Sequence, residues 1–213
     1  MKTTQRPRIA GDRPKLTRKN HNLFAGRTVV RHALAAMLTL AMLGACARAA
    51  ELAGVTLPDT MSAGGKTLKL NGVGLRKKSV VKVYVGALYV ETPSGEAEQI
   101  LAADEAKVIR MHYLRGLSKK QLVDGFQEGF EANARDQAGQ KAAFDRMLAL
   151  IPDVKEGDTL TFVYVPGKGT TVQSGNKDLG AFEGKEFAEA VFSIWLGPKP
   201  PTKDLQKGML GLK

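Results

Sequence analysis

The stretch "LNGVGLRKKSVVKVYVGALYVE", residues 70–91, decides what kind of fold the chain makes. Its Gly72 and Gly74 open a phosphate-binding turn if a helix follows, and a tight bend between strands if a strand follows. A dinucleotide fingerprint needs a third glycine three positions on, where Lys77 stands, and no Gly-Lys-Ser/Thr follows at the spacing of a phosphate loop. What does follow, residues 79–91, is dense in β-branched and aromatic side chains and reads as a central strand. The phosphate reading is thereby excluded. Residues 66–71 read as the strand before it, Gly-x-Gly as a tight bend, and residues 76–80 as a short hairpin that brings Arg76 near Tyr84.

Before this stretch, Pro58 and Gly64-Gly65 break the chain into short extended pieces. On the other side, residues 94–105 read as a short helix and the run from Ala106 to Gly116 as another strand. From Ser118, the side chains Leu122, Phe126 and Phe130 recur every four residues, the spacing of one helix face. Phe144, Leu148 and Ile151 continue a second helical run until Pro152. Residues 157–180 alternate around "PGKG" and read as a β-hairpin. A helix over 184–197 follows, with Phe187, Val191 and Ile194 or Trp195 on one side, then a Pro-rich link and a last helical turn. Strands, then helices, then a hairpin, then a helix is an α+β order, which predicts an antiparallel sheet with helices packed on one face.

The 213 residues suit one domain, and their net charge of +11 would suggest nucleic acid if it were evenly spread. It is not: residues 1–50 hold ten basic side chains against the single acid Asp12. The other 22 basic and 20 acidic groups leave residues 51–213 close to neutral, so nucleic acid is not expected as a partner. The basic leader runs into about a dozen mostly apolar residues from Ala33 to Ala45 and then Ala47-Arg48-Ala49, the pattern of a secretory signal peptide. That apolar run falls short of the roughly 20 residues a spanning helix needs, so no stable membrane span is expected in the mature form. The expected organisation is therefore 1–50 as a signal peptide with a long basic extension and 51–213 as the folded domain, periplasmic or secreted. Cys46, the only cysteine, lies in the leader; reading "LGAC" as a lipoprotein signal acylated at Cys46 is the alternative.

Common catalytic patterns are missing. His21 and His32 lie in the leader and His112 stands alone on a strand, so neither a metal site nor any other cofactor is expected. No Gly-x-Ser-x-Gly elbow is present, and the many carboxylates fall mostly on helix surfaces. Catalytic residues are therefore not assigned. What remains is Arg76 and Tyr84. The plain reading puts Arg76 on the surface and Tyr84 in the core; the functional one makes a guanidinium beside a phenol a receptor for a carboxylate.

Taken together, "LNGVGLR", "VVKVYVGALYVE", the helix with "GF" and Asn133, "VPGKGTTV" and "FAEAVFSIWLGPKPPTKDLQKGMLG" resemble the chalcone isomerase-like family, in its bacterial exported branch, over residues 51–213. The resemblance implies an open-faced β-sandwich, a large antiparallel sheet covered on one face by a layer of helices, with a ligand cleft between them. Some members are isomerases that cyclise a chalcone by attack of a phenolate on an enone; others bind fatty acids without catalysis. The family's arginine after the Gly-x-Gly matches Arg76, and the position of the isomerases' threonine is Tyr84, a tyrosine as in the fatty-acid-binding members. Two further polar isomerase positions fall at Leu122 and Gly129, whose side chains donate no hydrogen bond. The expectation is an exported domain that holds a small amphipathic acid, such as a fatty acid, on Arg76 and Tyr84. Val83, Val85, Leu88, Met111, Leu122, Phe126 and Phe130 are the expected pocket wall. The alternatives are an isomerase acting on a chalcone-like enone and a structural or interaction module whose cleft is filled by its own side chains.

Overall fold

The structure, a computed structural model, describes residues 49–212. The leader with Cys46, and so nearly all of the signal-peptide expectation, lies outside the described residues. Strands β1 (Ala49–Leu52) and β2 (Val55–Pro58) pair as a separate hairpin around Ala53 and Gly54, both at positive φ. The main sheet has seven strands: β3 (Thr60–Ala63), β4 (Lys66–Lys78), β5 (Val81–Val90), β6 (Lys107–Tyr113), β7 (Thr159–Val165), β8 (Gly169–Ser174) and β9 (Lys177–Phe182). They lie side by side in chain order, every pair antiparallel. Helix α1 (Ala97–Ala102) separates β5 from β6; α2 (Lys119–Asn133) and α3 (Gln137–Leu150) separate β6 from β7; α4 (Lys185–Leu196) and α5 (Lys203–Met209) follow β9. The expected α+β class, antiparallel sheet and single helical layer are all present.

Side-chain alternation along each strand divides the apolar residues between two cores. Leu88 and Val90 of β5, Ile109 and Met111 of β6, and Leu160 and Phe162 of β7 face the helices. Leu68, Val85, Ala87, Tyr89 and Val108 face the other way, where Val55 and Leu57 of the β1–β2 hairpin cover them. The Tyr89 hydroxyl donates to the Pro58 carbonyl at 3.0 Å, closing that smaller core. Helix α4 is buried nearly all round from Phe187 to Leu196, as expected of a helix held between a sheet and other helices. Helix α2 starts on a capping box: the Ser118 hydroxyl accepts from the Gln121 amide at 3.3 Å, and the Gln121 side chain accepts from the Ser118 amide at 3.0 Å.

Two local expectations need correction. Gly72 and Gly74 make no bend; β4 runs through them as one 13-residue strand. A Cβ on Gly74 would come within 2.2 Å of the Leu205 carbonyl oxygen, and one on Gly72 within 2.2 Å of the Gly208 carbonyl oxygen. The missing side chains let α5 lie directly on the strand. The hairpin over 157–180 also gains a third strand, β9, for which "KDLGAF" offers no β-branched residue.

Candidate functional site

Arg76 and Tyr84 are register partners across β4 and β5, a separation at which opposed side chains meet. Leu75 packs into the smaller core, so its neighbour Arg76 points to the helical side, as Tyr84 does. The register slips between Arg76 and Lys77, and such a bulge re-aims the side chain beside it. Arg76 is half-buried, and its guanidinium donates to the Lys77 carbonyl. Among the described residues no carboxylate lies within 4.0 Å of it. This is a cation without an anion.

Tyr84 sits deeper, 8% exposed, with its ring edge-on to Tyr113 at 5.7 Å. The Trp195 indole N–H donates to its hydroxyl oxygen at 3.1 Å. The hydroxyl's own proton has no acceptor among the described residues. Burial raises the Tyr84 pKa to about 12, although the Trp195 hydrogen bond and the charge of Arg76 both pull it down. The phenol is therefore a neutral donor at physiological pH, across the strand pair from Arg76.

Above this pair the aromatic packing is dense. Trp195 of α4 lies against Phe162 at 5.2 Å and Phe126 at 5.9 Å, and Phe130 stacks on Phe144 at 4.0 Å. Leu88, Met111, Leu122, Phe126 and Phe130 are buried in this helix-side core, with Val83 packed at its margin. Val85, the seventh expected wall residue, faces the β1–β2 hairpin on the opposite side of the sheet because it neighbours Tyr84 in the alternation. Three concavities, of about 540, 130 and 100 Å³, lie elsewhere, and neither Arg76 nor Tyr84 lines any of them. The space over Tyr84 is filled by the protein's own rings.

Gly129 is held just as tightly: a Cβ there would meet Ile194 Cγ2 at 2.6 Å, so α2 and α4 touch where the resemblance has an isomerase asparagine. Asn133 instead clamps the loop after α4, donating to the Gly129 and Lys199 carbonyls at 2.8 and 2.9 Å and accepting from the Lys199 amide at 2.8 Å. No cluster of three or more His, Cys, Asp or Glu side chains able to hold a metal occurs among the described residues.

Sequence reasoning missed Trp195 as the partner of Tyr84; nothing local signals a contact 111 residues away. It also missed Asn71, at the first bulge of β4. Asn71 donates to the Ser94 and Met209 carbonyls, each at 3.0 Å, and ties α5 to the sheet beside the site.

The model of a family described as chalcone isomerase-like matches residues 49–211. No curated protein sequence matches the chain. Among the solved structures that match is a fatty-acid binding protein of Arabidopsis thaliana, 17% identical, with a TM-score of 0.64, over 76% of this chain and 96% of that one. At that identity the likeness is one of fold.

Proposed function

The chain belongs to the chalcone isomerase-like family, and within that family we propose that it binds a fatty acid or similar amphipathic acid without efficient catalysis. One observation carries the reading: an arginine with no carboxylate partner and a buried phenol whose proton has no acceptor, both among the described residues, are cross-strand partners on the same face. Leaving a buried donor unmade costs about 1–3 kcal/mol, and a carboxylate answers both groups at once. The apolar side chains between sheet and helices would take the acid's tail. Leu122 and Gly129 offer no hydrogen-bond donor from their side chains, which favours binding over the isomerase alternative. The similar fold of a fatty-acid binding protein supports the ligand class. Export, by soluble secretion or through acylation of Cys46, remains part of the proposal on the strength of the basic leader and its apolar run.

Trp195 carries a second reading. Its ring covers Tyr84 and packs on Phe162, and a core that stays so filled makes the protein an interaction module instead. Native mass spectrometry on protein purified from its own source separates the two. The binding reading expects a carboxylic acid adduct that Arg76→Ala abolishes. A bare chain that also takes up no added acid leaves the interaction module.

A further inference from the structure

The tip joining β4 to β5 is unlike the rest of the surface. Val80 is 89% exposed and Val81 40%, next to each other at the end of the longest hairpin. Among the described residues the other exposed large apolar side chains, Leu150 and Leu212, are far apart in sequence. Lys77, Lys78 and Lys82 flank the valines and are all exposed. Lys77 and Lys82 are direct register partners, a like-charge opposition that weakens a strand pair. Residues 76–82 thus hold four cations and no carboxylate, and Arg115 adds a fifth just past Leu114, whose amide is bonded to the Val83 carbonyl at 2.9 Å. Neither valine belongs to either hydrophobic core.

We propose that this tip contacts an anionic lipid bilayer, with Val80 and Val81 entering the interface and Lys77, Lys78 and Lys82 meeting lipid phosphates. Basic stems around a small apolar point are what the headgroup boundary accepts: the apolar atoms reach the acyl edge and the ammonium groups stay in water. A nucleic acid would match the lysines but leave the valines wet. An acidic protein partner needs about 800 Å² of complementary surface per side, far more than a two-valine tip offers. The proposal stands apart from the fatty-acid reading, because neither the tip nor its test involves a free acid.

The basic leader could itself bring the full chain to anionic vesicles, so the test reads the tip locally. Val80→Cys in a Cys46→Ser background carries an environment-sensitive fluorophore, and Lys168→Cys, exposed at the opposite end of the sheet, is the control. With phosphatidylcholine–phosphatidylglycerol vesicles the Val80 label is expected to shift to the blue and to be quenched by brominated lipid, while the Lys168 label does neither. Replacing Lys77, Lys78 and Lys82 by Gln weakens that insertion about fivefold per lysine. Circular dichroism melts of the variants should lie at or above the parent's, since every altered tip residue is exposed and Gln at 77 and 82 removes the like-charge opposition. The proposal is overturned by a Val80 label that stays in water while the chain is vesicle-bound, by equal shifts at positions 80 and 168, or by an equal shift on pure phosphatidylcholine. A shift produced equally by heparin would point to a macromolecular polyanion and overturn it too.

Discussion

Tyr84 holds its proton to about pH 12, and burial is the main cause. Tyr89 is raised to about 12 in the same way, and Tyr113 is pushed well above the ordinary phenol value. A phenol held more tightly in the folded than in the unfolded chain stabilises the fold fully below pH 10, and that stability is lost as pH rises through 12. Lys107 works in the opposite sense. It is 2% exposed, and burial lowers its pKa to about 8, while its ammonium donates to the Ile100 and Ala103 carbonyls at 2.6 and 2.7 Å at the end of α1. Between pH 8 and 10.5 the unfolded chain binds the proton that the folded chain releases, so stability rises with pH by up to about 3 kcal/mol. Urea midpoints measured against pH should therefore climb above pH 8 and fall above pH 10, and Lys107→Met should remove the climb alone. At the site, Tyr84→Phe deprives the Trp195 indole of its acceptor and is expected to cost about 1–3 kcal/mol in a urea melt. Arg76, half-buried and without a carboxylate partner among the described residues, should change stability by no more than about 0.5 kcal/mol when replaced by Ala. Arg76→Ala thus separates binding from folding.

Among the elements, α5 depends most on a single strand. It rests on Gly72, Gly74 and, from β5, Gly86, whose added Cβ would meet Leu205 Cδ1 at 3.1 Å and Met209 Sδ at 3.2 Å. Gly74→Ala forces its Cβ against the Leu205 backbone and is expected to cost at least about 1–3 kcal/mol by displacing α5. Far-ultraviolet melts would show the loss, and an unchanged midpoint would mean that α5 does not lie on β4. This element also shows what the sequence could reveal. Periodicity made α2, α3 and α4 legible, and β-branched density did the same for β5 and β6, because these signals are local. The Gly-x-Gly reads locally as a bend, because the contacts that require it lie in residues 205–211, more than 130 positions away. Strand β9 escaped for a related reason: Gly180 is there because a Cβ would meet Leu150 Cδ1 of α3 at 2.6 Å. Arg76 and Tyr84 could be paired from the chain alone, but the ring of Trp195 above them could not.

Across the whole molecule, a meander in chain order brings β4 and β5 side by side, and the long excursions after β6 and β9 lay the helices over one face. The proposed acid would lie between those two layers, so binding requires α4 to yield where Trp195 caps Tyr84. A ligand that binds only the folded chain adds about 2.7 kcal/mol of stability at a hundred times its Kd, which a thermal shift would report. Because Trp195 is the only tryptophan and donates directly to Tyr84, its fluorescence reads the site without a label. The most direct test is a titration of the protein and of Arg76→Ala with a long-chain fatty acid, followed by Trp195 emission and calorimetry. The account predicts a saturable change in emission and an affinity at least about tenfold weaker for Arg76→Ala, as the loss of a charged hydrogen bond implies. Emission that never responds, or equal affinities for the two proteins, would contradict it.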